Sequence, residues 1–128
     1  MQKENILTIS NKIEVLFLPL NQILYIQADG NYCNVYFIDG SMLNTLTYQR
    51  AEIARMIHEQ ASEECSKLFV MLGKSYLVNS CYILRIQPSK QLLTFCVNEF
   101  GTTHKITLQA STKALSQLKT EIALERAG

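Results

Sequence analysis

The chain's 128 residues fit one ordinary domain, and with 48% hydrophobic and 18% charged residues it has the apolar surface for a packed core, which excludes a disordered chain. No run approaches the ~20 apolar residues that span a bilayer. The net charge of +1 does not single out a polyanionic partner, but it is unevenly spread: four basic residues face eight acidic ones over positions 1–64, and seven face one over 65–119. A basic second half suits either a polarised anion-binding face or lysines scattered over a solvated surface.

Residues 6–10 and 13–19 are short strand-like runs parted by Asn11-Lys12, a pair that suits the tight turn of a hairpin. Pro19-Leu20-Asn21-Gln22 breaks pairing and predicts one helical turn. Residues 23–28 form a third strand closed by the turn cluster Asp29-Gly30-Asn31, and 33–37 alternate as a strand with one buried face should. Asp39-Gly40 is a strong hairpin signal, with 42–46 as the returning strand. The period then changes: Ile53, Met56 and Ile57 share a face of a helix over 48–59, with Thr47 as its expected cap.

Residues 61–67 read as polar linker. Strand signals resume at 68–71, pause at Leu72-Gly73-Lys74, and continue over 75–78. Runs at 83–87 and 92–97 flank Pro88-Ser89-Lys90 as another hairpin, and Asn98-Glu99-Phe100-Gly101 turns into a strand over 104–108. A helix over 111–125 closes the chain, with Leu115, Leu118 and Ile122 on one face. Strands, a helix, more strands and a final helix do not alternate as a parallel Rossmann-type sheet requires.

Cys33, Cys65, Cys81 and Cys96 contain no CxxC pair, so neither a zinc ribbon nor a redox motif is indicated, and reduced, buried thiols are expected. The opening MQKENILTIS has no basic segment followed by an apolar core; it is not a secretory signal, and a cytoplasmic protein is the simplest reading. GxSxG, P-loop and HExxH patterns are missing. His58 reads as a surface residue, and Cys96 with His104 would form a nucleophile–base pair only if their strands are neighbours. Glu52, Glu59, Glu63 and Glu64 resemble a solvated face rather than an acid–base pair. The turn segments at 29–32, 72–75 and 109–113 are more informative, because they put polar or basic side chains at strand ends. Lysine donates to phosphate or guanine, asparagine and glutamine can read adenine, and tyrosine can touch phosphate or a thymine methyl. Taken alone, Asp29-Gly30-Asn31 also reads as a plain turn and Ser111 as a plain helix cap.

The segment Ile23-Leu24-Tyr25-Ile26-Gln27-Ala28-Asp29-Gly30-Asn31-Tyr32 resembles the I-x-Y-I-E-A-x-x-N-Y opening of LytTR-type DNA-binding domains, the output domains of LytR/AlgR-class bacterial response regulators. Phe69-Val70-Met71-Leu72-Gly73-Lys74-Ser75-Tyr76-Leu77-Val78-Asn79 is similar to that family's F-x-R-x-x-R-S-x-L-V-N. Asp39-Gly40 falls where the family turns back and Thr45-Leu46 where it enters its helix, so the resemblance spans roughly residues 5–120. It implies a single domain over residues 1–128 with a mainly β, elongated, multi-stranded antiparallel fold, one mid-chain helix and a C-terminal helix. It further implies a cytoplasmic transcription regulator of the two-component type that binds promoter DNA at direct repeats, inserting loops into successive major grooves, as a possible homodimer on DNA or with a partner regulator. No catalysis, cofactor, metal, membrane or small-molecule substrate is expected. The contacts it implies come from Asn31 and Tyr32, from Gly73, Lys74 and Ser75, and from Gln109, Ser111 and Lys113.

Two departures stand out. Met71 replaces the arginine of F-x-R, and Gln109-Ala110, or Ala110-Ser111 one residue on, stands where the family has a serine–arginine pair. Both suggest an alternative, a protein-interaction module that keeps the fold, does not bind DNA and modulates regulators of the same family. Family members usually carry a receiver or membrane segment ahead of this domain. Here Met1 lies only a few residues before the first strand, so the chain reads as a stand-alone regulator or as a piece of a longer one.

Overall fold

A computed structural model describes residues 5–99 and 101–127. Among these described residues, ten strands form three antiparallel sheets. β1 (Ile6–Ser10) and β2 (Val15–Pro19) make a hairpin whose turn is closed by Asn11, its Oδ1 accepting the N–H groups of Ile13 and Glu14 at 2.8 Å each. A 3-10 turn over Leu20–Gln22 then leads into a five-stranded sheet. That sheet contains β3 (Ile23–Asp29), β4 (Tyr32–Phe37), β5 (Met42–Leu46), β6 (Phe69–Leu72) and β7 (Tyr76–Asn79), in the order β5-β4-β3-β7-β6. After a second 3-10 turn, Ser80–Tyr82, the strands β8 (Ile83–Gln87), β9 (Leu92–Glu99) and β10 (Thr102–Gln109) form the last sheet. Pro88–Lys90 forms the expected β8–β9 turn, while Phe100, in the turn expected before β10, lies outside the described residues.

The five-stranded sheet is covered on both faces, which explains why β3 and β7 read as nearly continuous apolar runs. One face packs against the β1–β2 hairpin and α1 (Arg50–Gln60), in a core that includes Leu7, Ile9, Ile26, Val35, Ile53 and Leu77. The other packs against β8–β10 and α3 (Thr112–Ala127), around Leu72, Val78, Phe95, Leu115 and Leu118. Between Ile23 and Tyr25 a bulge interrupts the β3–β4 register, so Leu24 and Tyr25 both face the second core. Tyr25 stacks there on Tyr36, with ring centroids 4.5 Å apart, and on Phe95 at 5.9 Å.

Three expectations need correction. The mid-chain helix begins at Arg50, capped by Gln49 rather than Thr47. Tyr48 packs on the first core with its hydroxyl donating to Ser10 O, which holds the preceding residues out of the helix. The segment expected as linker contains a second, short helix, α2 (Glu63–Ser66): Ser62 Oγ accepts the Cys65 N–H, and Asn5 Oδ1 accepts the Ser62 N–H. All four cysteines are free thiols, but only Cys33 is buried; Cys65 and Cys96 are half-buried and Cys81 is exposed.

Candidate nucleic-acid interface

The antiparallel register gathers the turns singled out from sequence at one end of the five-stranded sheet. β3 ends and β4 begins around Asp29 and Tyr32, and the β6–β7 connection, residues 73–75, lies beside them because β3 pairs with β7. The Ala28 N–H donates to Ser75 O at 2.7 Å, extending that ladder into the turn. Gly73 has φ +59, and a Cβ built on it would stand 3.4 Å from the Ala114 Cβ, so the start of α3 lies against the same turn. Ser111 Oγ accepts the Ala114 N–H at 3.1 Å and so caps α3. The three segments therefore form one edge, in the order 29–32, 73–75, 109–113.

Asn31, Tyr32, Gly73, Lys74, Ser75, Gln109, Ser111 and Lys113 are all exposed on this edge. A fourth segment that sequence reading took only for a hairpin turn joins it. Thr112 Oγ1 donates to Pro88 O at 3.0 Å and Ala110 N to Gln91 O at 3.2 Å, tying residues 88–91, with exposed Lys90, to the start of α3. Lys74, Lys90 and Lys113 form no ion pair among the described residues. The two pairs found there, Arg55–Glu59 and Lys67–Glu63, lie on exposed helix surface or next to it. Asp29 is the one carboxylate within these four segments. The α3 N-terminus adds the positive end of a 16-residue helix to the edge.

Sequence reading also missed Arg50. Its Nη1 donates to Gly73 O at 2.7 Å and to Tyr76 O at 3.1 Å, from the first residue of α1. Contacts reaching across 23 and 26 residues leave no local pattern from which to find them. The departures are placed as well: Met71 is exposed on β6, an edge strand, and Ala110 packs half-buried against the second core.

The enzymatic pair does not assemble. β9 and β10 are neighbours, but Cys96 stands opposite Lys105 and His104 opposite Val97, so the two side chains leave opposite faces of the hairpin. Among the described residues no three His, Cys, Asp or Glu side chains gather as a metal site, and no helix is long and apolar enough to cross a membrane. A cleft of about 660 Å³ opens at the far end of the five-stranded sheet, beside Leu20, Cys65, Phe69 and Tyr82, away from the basic edge.

No family model matches the chain, and no curated protein matches it. Among solved structures it is similar to the LytTr DNA-binding domain of a methyl-accepting/DNA response regulator from Bacillus cereus. The two are 16% identical, with a TM-score of 0.55, over 92% of this chain and 96% of that one. The fold implied by the two sequence motifs is thus the fold observed: this chain is folded as a LytTR domain.

Proposed function

We propose that this chain binds duplex DNA as a bacterial transcription regulator in the cytoplasm, through the edge built by residues 29–32, 73–75, 88–91 and 109–113. The observation that carries the reading is the convergence of segments far apart in sequence on one surface with three lysines that form no ion pair among the described residues. Lys74, Lys90 and Lys113 neutralise phosphates there, and the exposed amides of Asn31 and Gln109 suit adenine. Ser111 spends an acceptor lone pair on capping α3 but keeps its O–H to donate to phosphate. The 73–75 turn lies between the 29–32 and 109–113 loops, so those flanking loops face successive major grooves and Lys74 faces the backbone between them. Lysine at this position is a point charge without arginine's planar fork, so it supplies affinity more than base discrimination.

Selection from random duplex DNA, followed by mobility-shift titrations at several salt concentrations, tests this directly. Enrichment of a spaced direct repeat with salt-sensitive affinity is the expected result. Met71 on the exposed edge strand favours one other reading, a module that pairs with regulators of the same fold. Failure of every fragment to shift, even at low salt, would favour that module and overturn DNA binding.

A further inference from the structure

We infer that Arg50 is a positioning residue that sets the conformation of the Lys74 turn. The functional consequence rests on the DNA-binding reading above; the positioning itself does not. A three-residue connection joins Leu72 to Tyr76, which stand opposite each other in the β6–β7 pair. Here it is held from three directions. Arg50 Nη1 carries two N–H groups at a fixed divergence, which suits one nitrogen to two carbonyls, and it reaches Gly73 O at 2.7 Å and Tyr76 O at 3.1 Å. Ser75 O is taken by the Ala28 N–H of β3 at 2.7 Å. The Gly73 backbone faces Ala114 of α3, whose Cβ would stand 3.4 Å from a Cβ built on the glycine.

Among the described residues, the hydrogen bonds of the Arg50 side chain both go to this turn. It forms no ion pair among the described residues, and it is half-buried. Its backbone opens α1, which is anchored by the fully buried Ile53 and Ile57. The apex of the turn, Lys74, is thereby referenced through a charge-assisted bond to the first core rather than only to its own two strands. Positioning matters in DNA recognition because a lysine presented in a fixed place discriminates register, whereas a mobile one contributes only non-specific attraction.

Two measurements test it, on Arg50→Ala and on Arg50→Lys, which keeps the charge but not the planar fork. In the DNA-free protein, amide hydrogen exchange at Ala28 N–H should quicken by an order of magnitude or more in Arg50→Ala, with other β3 amides unchanged. Arg50→Lys should fall between that variant and wild type. Unchanged Ala28 exchange in both variants would overturn the inference, whatever DNA does. On DNA, affinity for the selected site should fall about tenfold in Arg50→Ala, as losing a charge-assisted bond predicts, while affinity for random duplex barely moves. Equal loss on both DNAs, with a salt slope lower by about one, would make Arg50 a phosphate contact instead and overturn positioning. Wild-type protein that binds no DNA sinks the proposed function alone, because the exchange measurement still judges Arg50. Should Arg50→Ala fail to fold, Arg50→Lys decides both measurements.

Discussion

Lys74 and Gly73 are adjacent, yet different physics governs each. Lys74 is exposed at the apex of its turn and unpaired among the described residues, so its removal should leave stability nearly unchanged and weaken DNA binding. Lys74→Ala is expected to lower the slope of log affinity against log salt by about one, read from mobility shifts between 50 and 200 mM salt. Wild-type affinity and slope in the variant would remove Lys74 from the interface. Gly73 has φ +59, where a side chain is strained, and its Cβ would press on Ala114 at 3.4 Å. Gly73→Ala should cost about 1–2 kcal/mol in denaturant melts, because strain and contact act together. Both residues were legible in the sequence from the F…S…V-N spacing. Arg50 and Lys90 were not, since their place depends on which turns the register brings together, and neither α1 nor the β8–β9 turn announces that locally.

Among elements, strands were easier to read from the sequence than their junctions. Alternation located β4, and continuous apolar runs located β3 and β7, because burial on both faces of the sheet writes itself directly into composition. Helix starts were less legible. Thr47 is the better capping residue by type, but Tyr48 is fastened to Ser10, and tertiary contact moved the start of α1 to Arg50. For α2, the Ser62 cap followed by Glu63 and Glu64 was a local signal within a stretch too short for periodicity. Asn79 shows what the V-N of the second motif does in the fold. It is buried, its Nδ2 donates to Ile23 O at 2.9 Å and its Oδ1 accepts the Cys81 N–H at 3.1 Å. It thus fastens the end of β7 to the start of β3 and opens the following 3-10 turn. Asn79→Ala strands two backbone groups, and a loss of about 2–3 kcal/mol is expected from chemical denaturation. A variant as stable as wild type would show that water replaces both bonds.

At the scale of the molecule, one sheet serves two cores, and Tyr25 lies on its second face. Stacked on Tyr36 and Phe95 and edge-on to Tyr76, its phenol is pushed up to about 12, first by burial and then by the neighbouring Tyr36 and Tyr76 hydroxyls. The sign follows from linkage. Between the ordinary value of 10.0 and about 12, the unfolded chain releases the Tyr25 proton while the folded chain keeps it. Folding then binds more protons than unfolding, so stability falls as pH rises through that window. Urea midpoints measured from about pH 8 to 12 should therefore drop more steeply for wild type than for Tyr25→Phe, which has no proton to hold. Phenylalanine keeps the stacking, so the two curves should lie close together below about pH 9 and separate above it. Parallel curves across the whole range would mean that Tyr25 reaches solvent through motions of the sheet. The same measurement then bears on the DNA edge. β3 carries Tyr25 at the second core and Ala28 at the Lys74 turn, so a sheet loose enough to ionise Tyr25 would not hold that turn in register either.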